Sequence, residues 1–503
     1  MDCSSTARPA RPDERFRERV PARRLELDRS PRRCVDVELS GEGTSSLMTK
    51  LRGHGEVGDD LDSDRCARPP EVATLPLSKR LCSGCRSGDD FRSRWRNGLW
   101  CGLYGAMGVV VALLVWYPGH WLIALLVLPI IWSSTCSRWS ALSLWAGYYL
   151  TGARDIPLVC QRFFVGYGEL PAHAALALGV AFWLAQALLL SAPWVTLTPT
   201  TDAARRAWRA VLATLLVSVP PLGIIGWLSP VHVASALYPG WQLAGVTMGL
   251  CALASAACVR QSKVALAVAI LLAAAAVVAH VMVQDTEVPA GWMSVNTFFG
   301  RLDQKDYAAL YARTEAAQEA ARRQFEDGAT VVVLPEEVIG IWRPAMQYWW
   351  DGYLNQLVRT NRTLILGVDL ADHDSARELP RNEDRFLRYT DSAVIVGVEG
   401  GRFDSRQPVP AGLWRPWEQV SASRGGVTQR YLDIGGRRAS FSICYEDFLW
   451  WPHWRLLVDR PDVLVGMSND WFSADLALAN IQWQSVQSIV KLAGVPLLRA
   501  VNR

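Results

Sequence analysis

Hydrophobic and polar positions divide the chain into three regimes. Through residue 98 no apolar period is sustained, and Pro, Gly and Ser interrupt every short hydrophobic stretch. Between residues 99 and 283 long apolar runs follow one another, at 99–117, 121–133, 139–150, 173–197, 208–228, 241–259 and 264–283. A helix needs roughly 20 apolar residues to cross a bilayer, so these runs predict about seven membrane helices, with the second and third short, tilted or re-entrant. From about residue 288 the pattern changes to β-branched runs alternating with helical spacing, which reads as a soluble domain over 288–503. There the spacing predicts strands at 291–299, 330–334, 363–368, 393–398 and 438–444, and helices at 306–325 and 450–458.

Composition sharpens this division. Residues 1–98 carry 20 Lys or Arg and 17 Asp or Glu, so this extension is expected to be disordered. Residues 99–283 contain three acids, Asp155, Glu169 and Asp202, which is membrane composition. Lys and Arg near helix ends mark the cytoplasmic side. They cluster at Arg92, Arg94 and Arg96, at Arg138, at Arg205, Arg206 and Arg209, and at Arg260 and Lys263. The alternate loops around Pro118 and Pro230 carry none; the exception holds Arg154 and Arg162 together with Asp155 and Glu169. An odd number of crossings then puts the soluble domain outside, so the expectation is a multi-pass protein of the bacterial inner membrane with a periplasmic C-terminal domain. A net charge of +4 is small for 503 residues and argues against a nucleic-acid partner.

Eleven cysteines show no repeating spacing, and Cys101, Cys136, Cys251 and Cys258 sit in or beside apolar segments as small hydrophobes. Cys82 and Cys85 form a CxxC without a second pair to complete four ligands, and His373 and His453 lack partners at ligand spacing. No metal, nucleotide or flavin is assigned. Trp349, Trp350, Trp450, Trp451 and Trp454 read as packing or membrane-interface residues.

Two positions carry candidate chemistry. The run 330–334 ends on Pro335, Glu336 and Glu337, which sets a carboxylate at a strand's C-terminal edge. The strand 438–444 ends on Cys444, followed by Tyr445, Glu446 and Asp447, and is expected to turn sharply into a helix whose N-terminus lowers the thiol pKa. A thiol nucleophile, a carboxylate base and a donor for the oxyanion make a covalent acyl-transfer or amide-directed site.

The blocks VVVLPEEV (331–338), SFSICYEDF (440–448), VLVGMSNDWFS (463–473) and VPLLRAVN (495–502) resemble, in order, those of the carbon-nitrogen hydrolase (nitrilase) superfamily. With the preceding helices the layout resembles the apolipoprotein N-acyltransferases. YYLTGARDIPLVCQRFFVGYG (148–168) and SRQPVPAGLWRPW (405–417) resemble the conjugal transfer protein TraB family, a membrane branch with the same layout. These resemblances cover roughly residues 99–503. They imply an α-helical polytopic membrane bundle followed by a C-terminal α/β nitrilase-type αββα sandwich. They place the general base on Glu336, the nucleophile on Cys444 and a supporting acid on Glu446. The family lysine does not transfer. The matching stretch 403–413 has Ser405 in its place and Leu413 instead of a second supporting Glu, and no Lys lies between Glu336 and Cys444. Arg406 is the neighbouring cation that could donate to an oxyanion, although Arg and Lys are not interchangeable there. The family continues beyond a segment like 495–502 with further strands, so a truncated sandwich is an expectation too.

Three functions are compatible with this pattern: a TraB-like protein of plasmid conjugal transfer with weakened thiol chemistry, a working apolipoprotein N-acyltransferase, or a non-catalytic membrane scaffold. The resemblance implies a membrane lipid, a lipoprotein or the conjugation machinery as partner.

Overall fold

A computed structural model describes residues 87–372 and 388–503; Cys82, Cys85 and His373 lie outside the described residues. The N-terminal half is helical: α1 (Ser87–Val115), α2 (Val127–Trp132), α3 (Arg138–Gly152), α4 (Ile156–Gly166), α5 (Ala172–Thr196), α6 (Ala203–Ser218), α7 (Val233–Leu237), α8 (Gln242–Cys258) and α9 (Lys263–Met282). Side-chain caps start several of them, with Ser137, Asp202 and Ser262 accepting from the third residue of α3, α6 and α9.

Among the described residues three helical stretches are long and apolar enough to cross a bilayer, Gly98–Val115, Ala172–Thr196 and Lys263–Met282, and this is a membrane protein. The other expected runs are broken. Run 121–133 opens as a 3-10 turn before α2, and run 208–228 stops at Ser218 ahead of Pro220 and Pro221. Helix α8 is bent by 118° against the segment Pro230–Leu237, a geometry of a broken span or re-entrant loop. The eleven-residue α4 lay in no expected run.

Helices α1 and α3 approach through small residues. A Cβ on Gly108 would come 2.0 Å from the Leu144 carbonyl oxygen, and one on Gly147 would come 2.4 Å from that of Gly105. Such glycines allow backbones to touch where lipid supplies no hydrophobic drive.

The C-terminal half is an α/β sandwich of two sheets. The first contains β1 (Trp292–Ser294), β2 (Val331–Val333), β3 (Thr363–Ala371), β4 (Arg388–Gly397) and β5 (Gly401–Asp404) in that order, with β6 (Ser421–Ala422) also paired to β4. The second runs β10 (Leu497–Asn502), β9 (Val463–Asn469), β8 (Arg437–Ile443), β7 (Leu432–Ile434). Side chains alternate across each strand. Val331, Val333, Ile365, Ala393, Ile395 and Phe403 therefore meet Ala439, Phe441, Ile443, Val463, Val465 and Met467 between the sheets. The opposite face of the first sheet, with Val332, Leu364, Leu366 and Val368, is covered by α10 (Tyr307–Glu326) and α11 (Gln347–Arg359). Helix α12 (Ala477–Ala493) covers the second sheet, and the expected αββα order is complete. Burial on both faces explains why β2 and β3 are unbroken apolar runs in the sequence.

The two halves share apolar clusters. Phe448, Leu449 and Ile481 pack with the helical core, and Val231 and Ala234 pack on α12. Gly147→Leu is expected to overpack the α1–α3 contact and cost about 1–3 kcal/mol, seen as a lower Tm and a smaller folded fraction in detergent. A Tm unchanged from the wild type would contradict the close packing.

Candidate functional site

The site lies where strand ends of both sheets meet. Strand β2 leads through Pro335 to Glu336, and Gly367 on β3 permits this, because a Cβ there would lie 2.2 Å from the Pro335 carbonyl oxygen. Strand β8 delivers Cys444 at φ +47°. Glu337 and Ala411 also hold positive φ, and sparsely populated backbone conformations of this kind gather at functional sites. Glu336 lies beside Cys444, close enough for its charge to raise the thiol. The backbone N–H of Asn469 donates to Glu336 Oε2 at 2.7 Å, and the Asn469 side-chain amide donates to Glu337 Oε2 at 3.0 Å.

Electrostatics differ from the sequence expectation for the thiol. The element after Cys444 is a 3-10 turn (Cys444–Phe448), and the segment expected to be helical at 450–458 is a second 3-10 turn, Trp451–Leu457. Neither offers a strong helix N-terminus. Burial, then the charges of Glu336 and Asp470, push the Cys444 thiol well above its ordinary value. At rest the site holds a neutral thiol beside a buried carboxyl rather than a preformed thiolate.

Glu446 and Arg406 form one buried unit behind the turn. The Arg406 NH2 group sits 2.6 Å from Glu446 Oε2 and 2.6 Å from the Phe441 carbonyl oxygen, NH1 donates to Pro452 O at 2.6 Å, and Nε also faces Glu446. Glu446 further accepts from the backbone N–H groups of Arg406, Gln407 and Ile443. Arg406, expected as an oxyanion donor, is placed by these bonds as a brace between β5 and the Cys444 turn. His453 lies inside the same network, its ring nitrogens 3.4 Å from Arg406 and 3.1 Å from the Glu446 carbonyl oxygen.

Sequence reasoning missed several groups. Asp391 in β4 and Asp369 in β3 are buried and stand directly opposite each other across the ladder. Burial raises the carboxyls of Glu336, Asp369 and Asp391 well above the usual range, and the neighbouring acids raise them further. An acid inside an otherwise apolar strand was the available signal. Asp470, which follows β9, is pushed up to about 6 by burial. Below Cys444, Arg499 of β10 pairs with Asp447 at 3.1 Å, and the Gln482 side chain donates to the Cys444 carbonyl at 3.0 Å and to Asp447 at 3.2 Å.

Cys444 opens into an apolar cavity of about 310 Å³, a size within the ~300–1,000 Å³ of small-molecule sites. Phe163 and Phe164 of α4, Phe182 and Leu189 of α5, and Tyr445 and Phe448 are among its walls. Leu189 is 49% exposed on the outer face of α5, so the cavity reaches the apolar surface of the helical half. Leu413 packs against the cluster of Phe163, Phe164 and Ala175 beside this cavity.

No family model matches the chain. Over 75% of its length it is 27% identical to the probable conjugal transfer protein TraB of Sinorhizobium fredii, covering 91% of that protein. Over 82% it is 27% identical to the conjugal transfer protein TraB of Agrobacterium fabrum, covering 94%. The chain is similar to the TraB conjugal transfer proteins over most of its length. The apolipoprotein N-acyltransferase of Bordetella bronchiseptica is 25% identical over 31% of this chain and 33% of its own length. Among solved structures, an amidase of the nitrilase superfamily from Nesterenkonia aligns with 43% of this chain and 78% of its own at 17% identity and a TM-score of 0.29.

The TraB-like segment 148–168 docks the helical half onto the sandwich. Asp155 Oδ2 accepts from the Leu478 N–H at the start of α12 at 2.8 Å. Arg162 pairs with Asp475, Glu169 pairs with Arg415 at 2.9 Å, and the Tyr167 hydroxyl donates to Glu337 at 3.2 Å. These are the charges that broke the alternation of basic loops.

Carboxyls raised on folding retain protons that the unfolded chain releases. Stability is therefore greatest below their ordinary values and falls as pH rises from about 4 toward the folded values, by up to ~1.4 kcal/mol per pH unit for each proton. Asp391→Asn removes one such group. Its Tm should match the wild type near pH 4.5 and exceed it progressively by pH 7.5; a variant that is less stable at pH 7.5 would contradict the assigned electrostatics.

Proposed function

We propose that this chain is a TraB-like membrane protein of plasmid conjugal transfer whose sandwich domain performs acyl transfer through Cys444. The observation that carries the chemistry is the placement of Glu336 beside Cys444, at the end of an apolar cavity reaching the lipid-facing side of α5. An acyl chain of a membrane lipid fits that cavity by character. In the first step the deprotonated form of Glu336 takes the Cys444 thiol proton as sulfur bonds to the ester carbonyl carbon. The carbon–oxygen bond then breaks and the proton passes to the departing alcohol, leaving an acyl thioester. The Tyr445 N–H belongs to the first residues of the turn after Cys444, whose backbone donors lack intrahelical partners, and it serves as the oxyanion donor in this scheme. Glu446 and Arg406 act as positioning residues that fix the turn. The thioester then passes its acyl group to an acceptor and regenerates the thiol.

A working apolipoprotein N-acyltransferase is less well supported, because similarity to such enzymes is confined to 31% of the chain and Ser405 stands where their lysine is matched. A non-catalytic scaffold is favoured by that same missing lysine. A single series separates the readings: mating frequency of a plasmid deleted for this gene and complemented with the wild type, Cys444→Ala or Glu336→Gln. Loss of transfer at least about a hundredfold with either variant, the scale of removing a catalytic group, together with an acyl thioester on Cys444 by intact-protein mass spectrometry, is expected. Full transfer by Cys444→Ala would leave the scaffold.

The orientation belongs to the same proposal: a multi-pass protein of the inner membrane with the sandwich domain in the periplasm. Basic loops alternate with neutral ones. The exceptional loop, with Arg154, Asp155, Arg162 and Glu169, bonds to the sandwich and so shares its side. Alkaline phosphatase fused after Asp285 should be active, and a cytoplasmic fluorescent protein fused there should be dark; the reverse pair of results would overturn the orientation.

A further inference from the structure

At the end of the second sheet remote from Cys444 lies another cavity, of about 650 Å³ and open to solvent. Strands β8, β9 and β10 begin beside it, where Arg437, Asp462 and Pro496 form part of its wall. The seven residues from Arg437 to Cys444, at ~3.3 Å each along a strand, separate it from the thiol by roughly 20 Å. Its other wall belongs to the helical half: Trp241 precedes α8, Met282 ends α9, and the linker 283–290 continues from there. Val281 and Met282 are 80% and 66% exposed on a helix long and apolar enough to cross a bilayer, so the cavity opens where α9 leaves the lipid. Trp is an interface residue at such a place.

Charges of both signs line this cavity without being spent on each other. Arg437 and Arg460 bring guanidinium groups, and Asp285 and Glu287 bring carboxylates. None of the four joins a salt bridge among the described residues. Their neighbours are used: Arg438 pairs with Asp459 at 2.9 Å, and Asp462 accepts from the Arg438 backbone N–H at 2.7 Å. Arg460 reaches the cavity floor, since a Cβ on Gly494 would lie 3.4 Å from its Nη1 and 3.3 Å from Gly240 Cα, and both glycines line the cavity. The carboxylates stand next to a further source of negative potential. Val283 leaves α9 in an extended conformation, and among the described residues no following backbone N–H bonds back to the last turn of that helix. Free carbonyls at a helix C-terminus favour a cation.

The cavity therefore has a positive and a negative pole beside an apolar helix surface. A purely anionic ligand meets the wrong charge at Asp285 and Glu287, and a purely cationic one meets it at Arg437 and Arg460. A ligand with both charges a few bonds apart and apolar chains to lay along α9 suits all three features. Guanidinium groups hold phosphate oxygens through paired N–H donors, and a primary ammonium offers three donors to carboxylates and carbonyls. Basic pockets at the ends of membrane helices take lipid head groups in this way.

We propose that this cavity binds the head group of a zwitterionic phospholipid, its phosphodiester on Arg437 and Arg460 and its primary ammonium on Asp285, Glu287 and the C-terminal end of α9. The site is separate from the Cys444 cavity and requires no acyl transfer. Its occupant ties the sandwich to the bilayer at the end remote from the thiol.

The test uses the full chain carrying Cys444→Ala, so that no lipid is consumed at the thiol, and measures lipid binding by native mass spectrometry from detergent. Phosphatidylethanolamine is the probe. Phosphatidylglycerol, which lacks the ammonium, and phosphatidylcholine, whose ammonium has no N–H, are controls with the same acyl chains. Phosphatidylethanolamine should bind at least about tenfold more tightly than either control, the scale of one charge-assisted hydrogen bond. Arg437→Gln combined with Arg460→Gln should weaken its binding at least about tenfold on the same scale. Asp285→Asn combined with Glu287→Gln should bring it down to the level of phosphatidylglycerol. All four side chains are exposed, so both double variants keep the buried core. Equal binding of the three lipids overturns the proposal, as does a phosphatidylethanolamine affinity unchanged in either double variant. Chains held in the Cys444 cavity contribute alike to every lipid and variant, so a failed acyl transfer leaves the comparison unaffected.

Discussion

The docking of α4 onto the sandwich is the interaction on which the rest of the site depends. A short amphipathic helix that cannot cross a bilayer is held by charges at both ends: Asp155 on the N-terminus of α12, Arg162 on Asp475, and Glu169 on Arg415. Its apolar side supplies Phe163 and Phe164 to the cavity wall. Tyr167 reaches from its end to Glu337, next to the candidate base. Remove this helix and the cavity loses one wall, Leu413 loses its packing surface, and Cys444 faces water instead of an apolar chamber. The partly exposed ion pairs each stabilise little. Their work is geometric, because several fix one rigid element at several points.

Cys444 is held by a second device. Its positive φ is kept by Glu446, which gathers three backbone N–H groups and the Arg406 guanidinium under the turn. A buried pair of this kind adds little net stability over apolar packing, and breaking one partner is expensive. It specifies a conformation. With the turn fixed, the thiol sits beside Glu336, so a high thiol pKa at rest is compatible with nucleophilic chemistry when the base is already in place.

Much of this was legible from residues. Period-two and period-3.6 patterns located β2, β3, β8 and α10 to within a few positions, since both faces of those strands are buried and Asp306 caps α10 with a sharp local signal. Glu336 and Cys444 were readable because each ends an apolar strand. The turns at 444–448 and 451–457 were read as a helix start and a helix, since a 3-10 turn shares the local propensities of an α-helix and only the packing of Trp450 and Leu456 on the second sheet selects between them. The role of Arg406 was unreadable for another reason: its partner Glu446 is forty residues away, and sequence gives a cation's charge without its direction. Asp155, Arg162 and Glu169 looked like exceptions to a topology rule because their partners lie more than 200 residues downstream.

The missing lysine weighs differently once these neighbours are considered. A site that merely decays has no reason to keep buried carboxyls, because each one without a cation subtracts from a total stability of only ~5–15 kcal/mol. Here Ser405 and Leu413 stand where the resemblance implies a lysine and a glutamate, and Glu336, Asp369 and Asp391 are buried without a salt bridge among the described residues. Neutral residues of similar shape at positions 369 and 391 would relieve that repulsion at no cost to the fold. In this structure burial and the neighbouring acids hold Glu336, Asp369 and Asp391 well above the usual carboxylate range, so the cluster lowers its own repulsion by keeping protons.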